Sequence, residues 1–205
     1  MLNVRVNNLK HIIKIHKIRC ILMSKVYRNY EERQLRARFV LSVKEFMKTC
    51  SDVKIKRAGV ILYTEYQNTL YFGLGCDDSS RDLTDFGGGV KKHETGPGAA
   101  LREFAEESLV FRSLDLEQVM DCICVHDGVN LIMFISSKVD PKESVCQFDS
   151  RHRTHCAKKA PEVCGLVWIP VEEFKNLVEC KQRSSLLLYS KVRRLLSNLD
   201  WISRL

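Results

Sequence analysis

No stretch of this chain approaches the roughly 18 consecutive apolar residues that a membrane-spanning helix needs, so no membrane contact is expected. Nothing near the N-terminus reads as a secretory signal. The nine cysteines sit at irregular spacings, which fits free thiols in a reducing compartment rather than a disulfide framework. Internal repeats are absent, and the length suits one domain with an extension. No paired Ser/His/Asp or Cys/His motif points to nucleophilic catalysis. Acid is missing altogether from residues 1–28, which carry Arg5, Lys10, Lys14, Lys17, Arg19, Lys25 and Arg28.

That missing acid makes the charge lopsided. The net charge of +8 is carried by residues 1–50, which hold 12 Lys and Arg against 3 acids, while the other 155 residues hold 21 against 22. Three readings of the acid-free segment 1–28 stay open: a poorly ordered extension with Met23 as the working start, a basic arm for RNA or another polyanion, or a mitochondrial presequence. The cytoplasm is the expected location, with the mitochondrion as the alternative under the third reading. The oligomeric state is not legible.

The order of elements follows from periodicity and turn chemistry. Asn29 with Glu32 reads as a capped start of a helix to about Lys48, with Leu35, Phe39, Val43, Phe46 and Met47 as its apolar stripe. From residue 56 the pattern turns to strands. RAGVILYTEY and TLYFGLGCD form a hairpin about Gln67-Asn68, and Leu83–Lys91 is a third strand running into a glycine turn. Asp121–His126 and Val129–Val139 flank the Asp127-Gly128 turn. Pro141 ends that pair, residues 142–160 read as a polar, basic loop, and Glu162–Ile169 is a strand. Pro170 opens a short helix to about Cys180, and Ser184–Leu199 forms a last amphipathic helix. The division expected is an extension over 1–28, a helix over 29–50 and a catalytic domain over 56–205.

The chain is organised around GGGVKKHETGPGAALREFAEESLV, Gly87 to Val110. Pro97 suits a first helical position after a Thr95 or Gly96 cap. At about 100° per residue, Glu107 lies about 40° from Glu103 and Glu106 about 60° to its other side, so three carboxylates share one face. Leu101, Phe104, Ala105 and Leu109 occupy the opposite face as a core stripe. Each like-charge pair at ~6 Å costs roughly 3 kcal/mol at an effective dielectric of ~20. Arg102 offsets part of that cost, and a hard divalent cation such as Mg²⁺ or Mn²⁺ would offset the rest, with Glu94 adding an oxygen from the loop. Gly87, Gly88 and Gly89 allow positive φ and close backbone approach, which phosphate binding uses. Together these suggest chemistry on a phosphate chain.

The spacing Gly88, five residues, Glu94, seven residues, Arg102-Glu103-Phe104-Ala105-Glu106-Glu107-Ser108 resembles the Nudix box, Gly-x5-Glu-x7-Arg-Glu-U-x-Glu-Glu-x-Gly-U with U a bulky apolar residue. Two departures stand out. Leu109 replaces the last glycine, leaving the exit turn or helix length open, and Phe86-Gly87-Gly88 stands where Pro-Gly-Gly is common. The resemblance implies an α/β/α sandwich with a mixed sheet, in an α/β fold class. It implies metal ligation by Glu94, Glu103, Glu106 and Glu107, catalysis by Glu103, Glu106 and Glu107 with Arg102 orienting a glutamate, and phosphate contacts from Gly87–Gly89.

It further implies Mg²⁺- or Mn²⁺-dependent hydrolysis of a nucleoside diphosphate linked to another moiety. The general base is a box glutamate or an outside acid, for which Glu143, Asp149 and Glu162 are the candidates. Capped RNA is one substrate reading, supported by the basic N-terminal part but not by the missing Pro-Lys-Gly-Lys run. A small nucleotide is the other, stacked on one of Tyr63, Tyr71, Phe72 or Trp168. The non-enzymatic alternative is a catalytically weak Nudix-fold module that binds RNA or a protein partner. Cys146, His152, His155, Cys156 and Cys164 match no standard zinc spacing and read as part of a solvated loop, and His126 reads as a turn residue.

Overall fold

The computed structural model describes residues 37–109, 114–156, 162–179 and 186–205. The basic segment 1–28, the Asn29 helix start and Val110 lie outside the described residues.

β2 (Arg57–Tyr66) and β3 (Thr69–Asp77) form the expected hairpin. Its two turn residues, Gln67 and Asn68, have φ of 50° and 60°, the double positive φ that matches strand twist in a two-residue turn. β6 (Ile123–His126) and β7 (Asn130–Ser136) form the second expected hairpin around Gly128. The Asp127 carboxylate fixes that turn by accepting from Val129 N at 2.9 Å and Asn130 N at 2.7 Å. β7 runs parallel to β2 along its length, and six of its seven residues are buried, as a strand covered on both faces requires.

Among the described residues the sheet is mixed and eight-stranded, in the order β1 (Phe39–Ser42), β6, β7, β2, β3, β4 (Leu83–Thr84). β5 (Phe86–Gly89) also pairs with β2, and β8 (Val163–Pro170) with β3. Alternation along the central strands supplies two cores. Ala58, Val60 and Leu62 face one, with Leu131, Met133 and Ile135; Ile61, Ile132 and Phe134 face the other. The first core is covered by α1 (Val43–Thr49), α2 (Gly96–Glu107) and α3 (Pro141–Cys156). The second is covered by α4 (Val171–Glu179), α5 (Ser190–Leu196) and Trp201, whose ring stacks on Phe134 at 4.3 Å. This is the α/β/α sandwich expected. No helix among the described residues is long and apolar enough to cross a membrane.

Four local expectations change. Residues 39–42 are not helical. They form β1 (Phe39–Ser42), which pairs with β6, and the helix begins only at Ser42, whose side chain caps Glu45 N at 3.1 Å while Glu45 returns a bond to Ser42 N. Residues 142–156 are not a loop but most of α3. Asp140 caps it by accepting from Lys142 N and Glu143 N, and Phe148 anchors it fully buried. The third strand breaks at Asp85 into β4 (Leu83–Thr84) and β5, because Asp85 turns into the protein interior. The last helix is shorter than Ser184–Leu199. Leu188 instead bridges to Leu83, with Leu83 N donating to Leu187 O and Tyr189 N to Leu83 O.

Candidate active site

α2 starts at a Thr95 cap, whose hydroxyl accepts from Gly98 N at 3.2 Å, with Pro97 in the first turn. Ala99, Ala100, Leu101 and Phe104 bury its inner face, and Phe104 meets Phe86 of β5 edge-on at 5.8 Å. Ala105, expected in that stripe, is exposed. The helix closes at Ser108, and Leu109 takes φ 54°, the left-handed turn that the missing glycine would adopt without strain. So the helix does not run on; the leucine adopts the exit turn.

The three glycines form a strand rather than a turn. Gly87, Gly88 and Gly89 lie opposite Gly59, Ala58 and Arg57, and the one positive-φ glycine among the described residues is Gly128. What the glycines supply is room. A Cβ at Gly88 would sit 2.6 Å from Glu103 Oε1, whereas one at Gly89 would meet nothing within 4 Å. Glu103 thus lies over Gly88, and Glu107 Oε2 accepts from Gly87 N at 2.8 Å, so two box carboxylates line the same strand.

Arg102 ties most of the acids together. Its Nε donates to Glu94 Oε1 at 2.7 Å, Nη2 donates to Glu94 Oε2 at 3.2 Å and to Gly89 O at 3.0 Å, and Nη1 lies 2.8 Å from Glu103 Oε1. Glu106, 55% exposed, is held only loosely, at 3.5 Å. The Arg102 bonds push the Glu94 carboxyl down to about 2, helped by Lys91 N, and those carboxylates raise Arg102 in turn. Glu107 behaves in the opposite way. Burial, then the charges of Glu103 and Asp85, lift it to about 8 against the Gly87 bond, and Glu162 adds to the rise.

Glu94, Glu103 and Glu106 thus gather around Arg102, while Glu107 turns to the Gly87 N–H. Among the described residues, no three His, Cys, Asp or Glu side chains are grouped as a metal site. Each carboxylate takes the nearest neutralising donor: Arg102 for Glu94, Glu103 and Glu106, and the Gly87 N–H for Glu107. The donor set still fits a hard divalent cation. Its oxygens are carboxylate, Glu103 and Glu107 project over adjacent glycines, and Glu107 has no ion pair among the described residues.

Sequence reasoning missed a buried pair beside these groups. Asp85 is fully buried and receives two bonds from Arg57, both 2.7 Å, while Arg57 Nη2 also donates to Gly87 O at 3.1 Å. Only a glycine fits at 59, because a Cβ there would lie 2.1 Å from Asp85 Oδ2. The available signal was an acid interrupting the apolar start of β5. Arg57 in turn lies 5.4 Å from the centre of the Tyr189 ring. Arg57, Thr84, Asp85, Glu107, Glu162 and Tyr189 line a cavity of about 340 Å³.

Glu162 is thus the outside candidate base brought beside a box glutamate. Glu143 bonds Gln147 at the start of α3, and Asp149 lies exposed further along that helix. Of the four aromatic candidates, Phe72 is buried against Phe174 and Trp201 and is unavailable for stacking. Tyr71 and Trp168 line a separate cavity of about 400 Å³ with Tyr66 and Lys142. His126 ends β6 as a packed ring, stacked on Phe39 and edge-on to Phe46, and burial lowers its pKa.

No family model matches the chain, and no curated protein sequence matches it. Solved structures that resemble it include a C. elegans Ap4A hydrolase binary complex, at 17% identity and TM-score 0.40, covering 69% of this chain and 92% of that one. The Nudix hydrolase RenU from M. smegmatis is similar at 13% identity and TM-score 0.41, covering 73% and 86%. The Nudix domain of Shewanella oneidensis NrtR, complexed with ADP ribose, is similar at 13% identity and TM-score 0.32, covering 63% and 84%. Likenesses at this level carry no argument about activity, which rests on the residues above.

Proposed function

We propose that the chain is a Nudix-type pyrophosphohydrolase that uses Mg²⁺ or Mn²⁺ to cleave the phosphoanhydride of a nucleoside diphosphate linked to another moiety. The observation that carries this reading is Glu107, a largely buried carboxylate raised to about 8 with Glu103 as its neighbour over a glycine strand. Carboxylates raised by burial and a like-charged neighbour cluster at sites that bind a cation or move a proton.

Glu103, Glu106 and Glu107 would hold the ion, with Glu94 as a further donor. When bound, the ion polarises phosphoryl oxygens and makes a water more acidic. Arg102 holds Glu94 and Glu103 and joins them to Gly89 O, which orients the helix face against β5. Gly89, where an added Cβ would meet nothing within 4 Å, leaves space for a phosphate group, while Gly87 and Gly88 admit Gly59 and Glu103. Glu162, on the wall of the cavity beside Glu107, is the acid outside the box best situated to take a proton from the attacking water.

A cavity of about 340 Å³ is at the small end for ligand sites and suits one nucleoside moiety. That size favours a small nucleotide substrate; capped RNA draws its support from the basic residues 1–28. The test is a panel of nucleotides and capped RNA, incubated with and without Mg²⁺. Product that forms only with metal supports the hydrolase. Tight RNA binding with no product under any metal would make the chain a binding module instead.

A further inference from the structure

Cys76 ends the regular part of β3 opposite Gly165 of β8, and the register slips by one residue there, since Asp77 pairs with Val163. Cys164 is the residue left over in that bulge. It therefore sits beside Cys76 across the strand pair, close enough for the two thiols to interact. Both sulfurs meet Arg81. Cys76 Sγ reaches Arg81 O at 3.7 Å, and Arg81 Nη1 donates to Cys164 Sγ at 3.0 Å.

The turn that presents Arg81 is built. Asp77 Oδ1 accepts from the backbone and hydroxyl groups of Ser79 and Ser80, and Arg81 takes φ 63° with its N–H on Asp77 O. Both cysteines are partly exposed, so a small oxidant can reach them. The extra residue of a bulge faces the same partner as its neighbour, which puts Cys164 and Cys76 on adjacent strands, the setting in which cross-strand disulfides form.

We propose that Cys76 and Cys164 form a reversible oxidative modification site, closing to a disulfide on exposure to a peroxide. In the first step the Cys164 thiolate attacks hydrogen peroxide. The O–O bond breaks, one oxygen stays on sulfur as a sulfenic acid, and the other leaves as water after taking a proton. The Cys76 thiolate then attacks that sulfur, expelling hydroxide, which takes up the thiol proton to give a second water. Two thiols are oxidised and one peroxide is reduced. A guanidinium against the attacking sulfur is the setting in which such thiols react. The bond would fix the bulge that carries Glu162 and Val163 into the wall of the cavity.

The test is peroxide treatment of the full chain followed by intact mass and non-reducing peptide mapping, which need no assumption about catalysis. The expected result is a loss of about 2 Da, a linked Cys76–Cys164 peptide and full reversal by dithiothreitol. Cys76→Ser should abolish the linked peptide and leave a trappable sulfenic acid on Cys164. Melting of the untreated Cys76→Ser protein checks that the fold survives. Cys164 oxidised without linkage in the unmutated chain, or linkage of other cysteines in its place, would overturn the proposal.

Discussion

Glu107 Oε2 accepts a hydrogen bond from Gly87 N at 2.8 Å, which fastens the end of the box helix to the strand that Asp85 and Arg57 hold from the other side. Arg57 donates to Gly87 O, so one peptide segment of Gly87 is gripped on both polar edges. The position of Glu107 is thus set by a chain of contacts running from a buried ion pair through a glycine. That arrangement keeps a carboxylate where its own charge is unwelcome.

Glu107→Gln should separate function from stability. The substitution removes a charge that burial and Glu103 disfavour, while the amide can still accept from Gly87 N. Turnover should fall by orders of magnitude, because an anionic oxygen donor is lost. Without metal near pH 8, the variant should melt at or above the parent temperature. Turnover near the parent value at saturating Mg²⁺ would remove Glu107 from the site.

The pH profile follows from the same carboxyl. Its folded pKa, about 8, lies above the ordinary glutamate value of 4.5, so the folded state holds the proton more tightly than the unfolded one. Its contribution to stability is therefore fully present below about pH 4.5 and is lost as the pH rises to about 8. Glu94 runs the other way. Its pKa of about 2 gives a contribution present above 4.5 and lost on acidification towards 2. Metal-free protein should therefore lose melting temperature between pH 5 and 8, and added Mg²⁺ should restore more of it at pH 8 than at pH 5. Equal restoration at both values would count against a cation on Glu107.

The glycine strand offers a graded test. An added methyl at Gly88 meets the tip of the Glu103 side chain, which can swing away, so Gly88→Ala should cost under about 1.5 kcal/mol of stability yet displace Glu103 and weaken activity. At Gly89 the space is open, so Gly89→Ala should be close to neutral in stability and should weaken activity by crowding the phosphate. At Gly59 the methyl meets the buried Asp85 carboxylate, with Phe86 O also at 2.8 Å, so Gly59→Ala should cost about 3 kcal/mol or more by breaking the Arg57 pair. Chemical unfolding with activity on the same preparations ranks the three, and any other order would mean that space is not what the glycines provide.

The sequence was most legible where a local signal and the tertiary fold agree. Gln67-Asn68 and Asp127-Gly128 carry their turns in their own backbone preferences, and Thr95-Gly-Pro carries a helix start. Residues 141–156 were misread because Val145 and Phe148 are nearly alone among polar neighbours. The Asp140-Pro141 cap was the better signal there. β1 was misread because Phe39, Val43 and Phe46 also fit a helical stripe, and only pairing with β6 decides against it. The orientations of the glutamates could not be read from helix phase. Phase places Glu103, Glu106 and Glu107 on one face, but the donors that turn them are Arg102 of the same helix, anchored on Gly89 O, and Gly87 N of β5. Asp85 and Arg57 lie 28 residues apart, and nothing local couples them.

Leu109 gives the last test, because it stands where the Nudix-box pattern that the sequence resembles has glycine and yet takes a left-handed conformation. A leucine at φ 54° carries roughly 1–2 kcal/mol of strain relative to glycine. Its side chain is half-buried against the first core, and its carbonyl accepts from Arg151 Nη1 at 2.7 Å. Leu109→Gly relieves the strain but loses that packing and gains unfolded-state freedom worth about 0.5–1 kcal/mol. The terms oppose and are similar in size, so the variant should unfold within about 1 kcal/mol of the parent and keep its activity. Leu109→Val keeps an apolar side chain but adds β-branching at positive φ, and it should be the less stable of the two. If Leu109→Val matched Leu109→Gly in chemical denaturation, the left-handed exit would not be what that position demands.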